Sequence, residues 1–218
     1  MINRRQLLGA LSLSFAATGM LFSASAANAK VEGDTIVLGA AVSATGKYST
    51  NGKHTTNGYN LAAQMINDNG GVKVGGKSYK IKIVYYDDES TPARGAQLAE
   101  RLISQDGVKY MLGPYSSGLT KAMAPVTEKY GVPMVEANGA SNSLFNKGYK
   151  YLFAVLSSTV QYLASAVALA GVVYGSKKLR IAVAFENDPL SQDLRHAVKA
   201  DTKRIAPKQW QDDKLPPE

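Results

Sequence analysis

Apolar residues recur along this chain in two alternating rhythms. The run Ile36-Val37-Leu38-Gly39-Ala40-Ala41-Val42 is continuous and bounded by polar turns, which predicts a buried strand over 35–42. Tyr59, Ala62, Ala63 and Ile66 then fall at i, i+3, i+4 and i+7, the spacing of one helical face. Asn69-Gly70-Gly71 ends that helix, because glycine takes the left-handed conformation of a C-terminal cap. After a turn at 74–77, Ile81, Ile83 and Tyr85 alternate with Lys82 and Val84 and predict a strand over 80–86. Thr91-Pro92 opens the next helix, with a hydroxyl at the N-cap and proline where a missing N–H costs little. Ala96, Ala99, Leu102 and Ile103 form its buried stripe. Residues 108–112 are a third strand, Leu119, Ala122, Met123, Val126 and Tyr130 a third helical stripe, and 132–136 a fourth strand.

Strands alternating with helices predict βαβ units, right-handed crossovers and a parallel, doubly wound α/β sheet covered on both faces. Ligands of such sheets bind beyond the carboxyl ends of the strands. The loops that matter are therefore 43–53, 87–91, 113–119 and 137–144. The pattern then restarts. Residues 151–155 form a fifth short strand, and Ser157-Ser158-Thr159 cap an apolar helix over 160–174. That helix is shorter than the ~20 residues a bilayer span needs. Residues 179–185 read as another buried strand, 186–189 as its end loop, and Leu194, Ala197 and Val198 as the next helix. The organisation expected is a first α/β lobe at 30–155 and the incomplete start of a second at 156–218. One strand and two helices are too few for an independent sheet core. The chain reads as the front part of a longer protein.

The first 29 residues do not join this pattern. A basic start, Asn3-Arg4-Arg5-Gln6, precedes an uncharged apolar stretch and a small polar segment ending Ala27-Asn28-Ala29. This is the plan of a secretory signal peptide, residues 1–29, cleaved after Ala29. The Arg4-Arg5 pair also fits a twin-arginine address. Export to a bacterial periplasm is expected, with no membrane span left after cleavage.

Composition narrows the chemistry. Hydrophobic residues at 45% and charged residues at 19% exclude a disordered or fibrous chain. Zero cysteines remove disulfides, thiolate metal sites and cysteine catalysis. His54 and His196 alone do not build a multi-histidine metal cage, so no metal and no cofactor are expected. The net charge of +8 comes from scattered lysines with no helix-turn-helix among them, which leaves nucleic-acid binding unsupported.

Enzyme motifs are missing. Gly39 to Gly46-Lys47-Tyr48 lacks the spacing and hydroxyl of a phosphate loop, and Ser116-Ser117 lacks the glycines of a nucleophile elbow. No catalytic residue is expected. Gly113-Pro114-Tyr115-Ser116-Ser117-Gly118 joins a strand to a helix N-terminus. Hydroxyls and orphan N–H groups there suit a carboxylate or phosphate, or else only cap the turn. Asn138-Gly139-Ala140-Ser141-Asn142-Ser143 has the same character at the next strand end, as a ligand loop or an ordinary turn. Tyr48 and Tyr115 are positioned to wall an apolar ligand portion or to pack at loop bases. Asp87-Asp88-Glu89 reads as a metal site or, since no further acid cluster supports one, preferably as a solvated turn that adds negative charge to the helix start at Pro92.

In order, Ile36-Val37-Leu38-Gly39, Gly46-Lys47-Tyr48, Asn67-Asp68-Asn69-Gly70-Gly71, Tyr86-Asp87-Asp88-Glu89-Ser90-Thr91-Pro92, Gly113-Pro114-Tyr115-Ser116-Ser117 and Glu186-Asn187-Asp188 resemble one family. It is that of the leucine/isoleucine/valine-type periplasmic binding proteins, the solute receptors of ABC importers. The likeness runs from about residue 34 to residue 196. It implies a type I periplasmic-binding-protein-like fold, two α/β lobes joined by a three-strand hinge and closing on a branched-chain amino acid or similar small solute. The implied partner is an inner-membrane ABC permease. The resemblance places Ser117, with Ser116 beside it, on the ligand carboxylate. It places Asn138, Ala140 and Ser141 on carboxylate and ammonium, and Tyr48 as the aromatic of the first loop. A family aromatic of lobe two falls near Leu190, and the acidic ammonium partner falls beyond Glu218. The competing readings are the ligand-sensing periplasmic domain of a regulatory system and a periplasmic α/β enzyme. With lobe two incomplete, this chain is expected to hold free amino acids no tighter than about millimolar and to associate through exposed apolar surface.

Overall fold

A computed structural model describes residues 30–174 and 181–205. The signal peptide expected at 1–29 and the first two residues of the strand expected at 179–185 lie outside the described residues.

Among the described residues, seven strands form one mixed sheet: β1 (Val31–Glu32), β2 (Thr35–Ala41), β3 (Val72–Val74), β4 (Lys77–Tyr86), β5 (Met111–Leu112), β6 (Met134–Glu136) and β7 (Leu152–Ala154). The order is β3-β4-β2-β5-β6-β7, with β1 beside β2. The five strands from β4 to β7 along that order are parallel, as the βαβ rhythm requires. The antiparallel additions, β1 and β3, carry too few residues to show a period. β3 and β4 form a hairpin through Gly75-Gly76, where the turn was expected; both glycines have positive φ, 56° and 80°.

Register divides the sheet into two faces. Met111, Met134 and Leu152 stand side by side on one of them. They are buried under α2 (Pro92–Ser104) and α3 (Ser117–Tyr130), against Leu98, Ala99, Leu102, Ile103, Met123 and Ala124. Burial of this apolar surface, at ~25 cal/mol per Å², is the main force holding the layer together. Of the stripe expected on α2, Ala99, Leu102 and Ile103 are buried, joined by Gly95 and Leu98, while Ala96 is half-buried. On α3 the stripe is rotated: Leu119 and Met123 are buried, but with Thr120, Ala124 and Thr127. Tyr130 stays at the surface, where its hydroxyl donates to Glu100.

On the opposite face lies α1 (Ser49–Asp68), which begins inside the segment expected as loop 43–53. Tyr85 on this face donates its hydroxyl to Asn60 Oδ1 at 2.8 Å. The Asn67 amide clasps Ile81, donating to its carbonyl at 2.9 Å and accepting its N–H at 2.7 Å. The helix seats through Gly52 and Thr55, not chiefly through the expected stripe; Ala62 and Ile66 are exposed. A Cβ at Gly52 would lie 1.9 Å from the Ser43 carbonyl oxygen, so glycine here permits the backbones to touch.

After β7 come a 3-10 turn (Thr159–Gln161), α5 (Ala164–Tyr174) and α6 (Pro189–Ile205); α4 (Asn142–Phe145) precedes β7. The helix expected over 160–174 thus starts as the 3-10 turn and becomes α-helical at Ala164. The strand expected at 179–185 is not formed over its described part. Residues 181–185 pair with no described strand, and Phe185 is 42% exposed. An apolar run becomes a strand only when a neighbour accepts its ladder of hydrogen bonds.

Candidate functional site

The carboxyl ends of β2, β4, β5 and β6 meet at one edge of the sheet, and all four loops singled out in the sequence converge there. Asp87 fastens two of them. Its Oδ1 accepts the N–H groups of Ala44 (2.9 Å), Thr45 (3.2 Å) and Glu89 (2.9 Å), and its Oδ2 accepts the Thr45 hydroxyl (2.7 Å). Slight burial pushes the Asp87 carboxyl up, but the Thr45 hydroxyl and these amides outweigh it and hold it below the usual range. Asp88 is fully buried and accepts the Ser43 hydroxyl and the Ser90 N–H. The 87–89 segment is therefore a structural clamp and not a solvated turn, and the first turn of α2 holds no acid. Thr91 likewise turns its hydroxyl back to the Glu89 carbonyl instead of capping α2.

The clamp sets Tyr48, whose N–H donates to the Ser90 hydroxyl at 3.0 Å. The Tyr48 and Tyr115 rings meet edge to face, 5.4 Å between centroids at 65°. Such aromatic pairs are favourable beyond their buried area. Ser116 is the N-cap of α3, accepting the Leu119 N–H, with a φ of 88° that a serine rarely adopts.

Ser117, Ala140 and Ser141 come together deeper in the edge. The Ser141 N–H donates to the Ser117 hydroxyl oxygen at 3.1 Å, and the Thr159 N–H donates to the Ala140 carbonyl at 3.0 Å. All three are buried in this conformation. The start of α6 covers them: Asp193 Oδ2 accepts the Ser141 hydroxyl (2.5 Å) and the Ser143 N–H (2.9 Å). Tyr48, Tyr115, Ser116 and Asn138 remain half-buried. Leu190 lies in the first turn of α6, its N–H capped by Asp188.

A groove of about 510 Å³ opens beside these loops, lined by Tyr115 and Asn138 and, from α1, by Asn51, His54, Thr55 and Tyr59. The α1 contribution was not legible as a site, because these positions read as a helix edge. Tyr59 donates its hydroxyl to the Gly113 carbonyl at 2.7 Å, and burial pushes its phenol well above the usual range. Glu136, at the end of β6, was also missed. Its one signal is an acid closing the apolar strand Met134-Val135-Glu136.

Among the described residues no cluster of three or more His, Asp or Glu side chains is placed to hold a metal ion, and no helix is long and apolar enough to cross a membrane. What the edge offers is hydroxyls, amides and a helix N-terminus beside two aromatic rings, a setting for an anionic group on an apolar body.

The chain is 28% identical over 143 residues to a leucine-, isoleucine-, valine-, threonine- and alanine-binding protein of Pseudomonas aeruginosa, covering 66% of this chain and 36% of that one. It is 27% identical over 189 residues to Leu/Ile/Val-binding protein homolog 3 of Brucella melitensis, covering 87% and 48%. Among solved structures, an ABC-transporter solute binding protein of R. palustris in complex with 4-hydroxybenzoate superposes with a TM-score of 0.66 at 28% identity, over 79% of this chain and 45% of that one. A branched-chain amino acid transporter substrate binding protein of Streptococcus pneumoniae with isoleucine gives 0.53 at 28% identity, over 62% and 39%. The chain spans half or less of the length of these relatives. The family model described as "Periplasmic binding protein" matches residues 35–218, and the chain belongs to that family.

Proposed function

We propose that this chain carries the solute-binding lobe of an ABC-importer receptor, a non-catalytic protein that takes up a small carboxylate solute and passes it unchanged to a membrane permease. The observation that carries the reading is the Ser117–Ser141 junction. It joins two strand-end loops at the N-terminus of α3, next to the Tyr48–Tyr115 pair. In this reading residues 30–155 are the first lobe and 156–218 the start of the second, behind a signal peptide at 1–29 that directs the protein to the periplasm. Ser116, Ser117 and the Asn138–Ser141 loop hold the carboxylate once the Asp193 carboxylate at the start of α6 withdraws from Ser141 and Ser143, and Tyr48 and Tyr115 wall its apolar body. Relatives named for leucine, isoleucine and valine support a branched-chain amino acid. A second reading, an aromatic acid, is favoured by the paired tyrosines and by the R. palustris relative with 4-hydroxybenzoate.

The test is a chemical-shift titration of the isotope-labelled chain with L-leucine, L-isoleucine, L-valine and 4-hydroxybenzoate, which detects binding even at millimolar strength. Shifts confined to Tyr48, Tyr115, Ser117 and Ser141 are expected for one solute class. Uniform silence at these residues overturns the reading.

A further inference from the structure

Beneath both ligand loops lies a carboxyl group whose partners are all neutral. Glu136 is fully buried at the end of β6. Its Oε1 accepts the N–H groups of Asn138 (2.5 Å) and Gly139 (2.6 Å), and its Oε2 lies 2.6 Å from the Thr120 hydroxyl on α3. The surroundings are shaped to admit it. A Cβ on Gly113 would lie 2.2 Å from Oε2, and one on Gly139 would lie 3.1 Å from the Glu136 carboxyl carbon.

Thr120 has one hydroxyl proton and two acceptors, Glu136 Oε2 and the Ser116 carbonyl at 2.9 Å. With Glu136 ionised, that proton serves the carboxylate. With Glu136 protonated, the new Oε2–H donates to Thr120 Oγ, and the threonine proton turns to the Ser116 carbonyl. Ser116 is the strained N-cap between Tyr115 and Ser117. At the other oxygen, Asn138 and Gly139 lead directly into Ala140 and Ser141. One proton therefore turns the Thr120 hydroxyl to the Ser116 carbonyl of the 113–119 loop and weakens the bonds that the Asn138 and Gly139 amides of the 137–144 loop make to Oε1.

We propose that Glu136 is a positioning residue that couples a proton to solute binding, acting through Thr120 and the Asn138–Gly139 amides so that a solute carboxylate binds more tightly when Glu136 is protonated. This rests on the carboxylate-receptor reading above. The sign follows from charge. An ionised Glu136 places a negative charge behind the loops and engages two of their amides, whereas the neutral acid does neither as strongly. Burial pushes Glu136 up to about 7, because the Thr120 hydroxyl and the amides of Asn138, Gly139 and Ala137 replace only part of the lost hydration. The proton thus exchanges near neutrality. The groups facing the carboxyl are Thr120 from α3, Gly113 just after β5 and the Tyr59 phenol from α1, while Val155, just after β7, donates its N–H to the Glu136 backbone carbonyl. His54 lines the adjoining groove, and the Asp193 carboxylate faces the far side of the 137–144 loop, accepting the Ser141 hydroxyl and the Ser143 N–H.

The experiment follows the amide resonances of the isotope-labelled chain from about pH 5.5 to about pH 8.5, with L-leucine and 4-hydroxybenzoate as probes. Asn138 and Gly139 are expected to titrate together near neutrality. The bound probe is expected to weaken about tenfold between the ends of the range, the equivalent of a one-unit pKa change on binding. Glu136→Gln should abolish the amide titration and hold affinity at its acidic value at every pH, while His54→Gln should leave the dependence in place. Amides that do not titrate in the parent chain overturn the proposal, as does a pH dependence that survives Glu136→Gln or vanishes in His54→Gln. Titrating amides with neither probe bound overturn the receptor reading and its coupling to solute, yet leave Glu136 in control of the loops.

Discussion

The Ser141 amide donates to the Ser117 hydroxyl oxygen at 3.1 Å, and both residues are buried. Residues 24 apart in sequence therefore form one unit at the N-terminus of α3. Ser117→Ala leaves a buried N–H without its acceptor, which costs ~1–3 kcal/mol. A lower urea midpoint with an unchanged slope is expected, in addition to any loss of solute binding. An unaltered midpoint would show that the Ser141 amide has another partner in solution.

Glu136 makes stability fall with rising pH. Its folded-state pKa of about 7 lies above the ordinary 4.5. Between those values the folded chain holds a proton that the unfolded chain has released, so stability is greatest below the window and is lost through it. The loss is on the order of a few kcal/mol by linkage. Glu136→Gln should flatten this part of the profile and exceed the parent in stability above neutral pH, as read by urea unfolding on either side of the window.

Asp87 and Asp88 are neighbours with opposite shifts. Asp87 is held below the usual range by the Thr45 hydroxyl and three amides despite slight burial, so its contribution is present above the ordinary carboxylate pKa and is lost as pH falls through the depressed value. Asp88 is raised, burial outweighing the Ser43 hydroxyl, so its ionised form opposes folding as pH rises. Asp87→Ala is expected to cost about 1–2 kcal/mol and to speed hydrogen exchange at Ala44 and Thr45. Asp88→Asn keeps the Oδ1 acceptor and should cost less, while removing the stability lost on ionisation.

Two glycines of α1 separate packing from propensity. At Gly52 a Cβ would meet the Ser43 backbone oxygen at 1.9 Å, and backbone cannot yield as a side chain can. Gly52→Ala should destabilise by ~1–3 kcal/mol or more. At Gly58 nothing lies within 4 Å, so Gly58→Ala should stabilise by ~0.5–1 kcal/mol through helix propensity alone. Thermal unfolding of the two variants decides the contrast, and equal shifts would refute it.

Long apolar periods were legible because they report burial directly. The α2 stripe and the β4 alternation each repeat a period over enough residues to define a face, and strand 35–42 is an unbroken apolar run between polar turns. The loops at the strand ends were legible for a topological reason, since any parallel sheet gathers them at one edge. The antiparallel strands β1 and β3 were not, whereas β5, β6 and β7, equally short, fall inside longer apolar runs that were. β1 and β3 are two and three residues long, and the run at 181–185 finds no described partner despite its apolar character.

The sequence by itself determined the α/β class, the order of the parallel strands and of α1, α2 and α3, the family resemblance and the loops in which Tyr48, Tyr115, Ser116, Ser117, Asn138, Ala140 and Ser141 lie. Each of these depends on local period or on residues adjacent in the chain. Only the tertiary structure decided that Ser117 and Ser141 share a hydrogen bond, that Asp87 clamps the first loop, that α1 supplies a groove wall, and that Glu136 sits without a cation beneath both loops. These are contacts between distant positions. Their energies depend on burial and on which donor meets which acceptor, and a sequence period records neither.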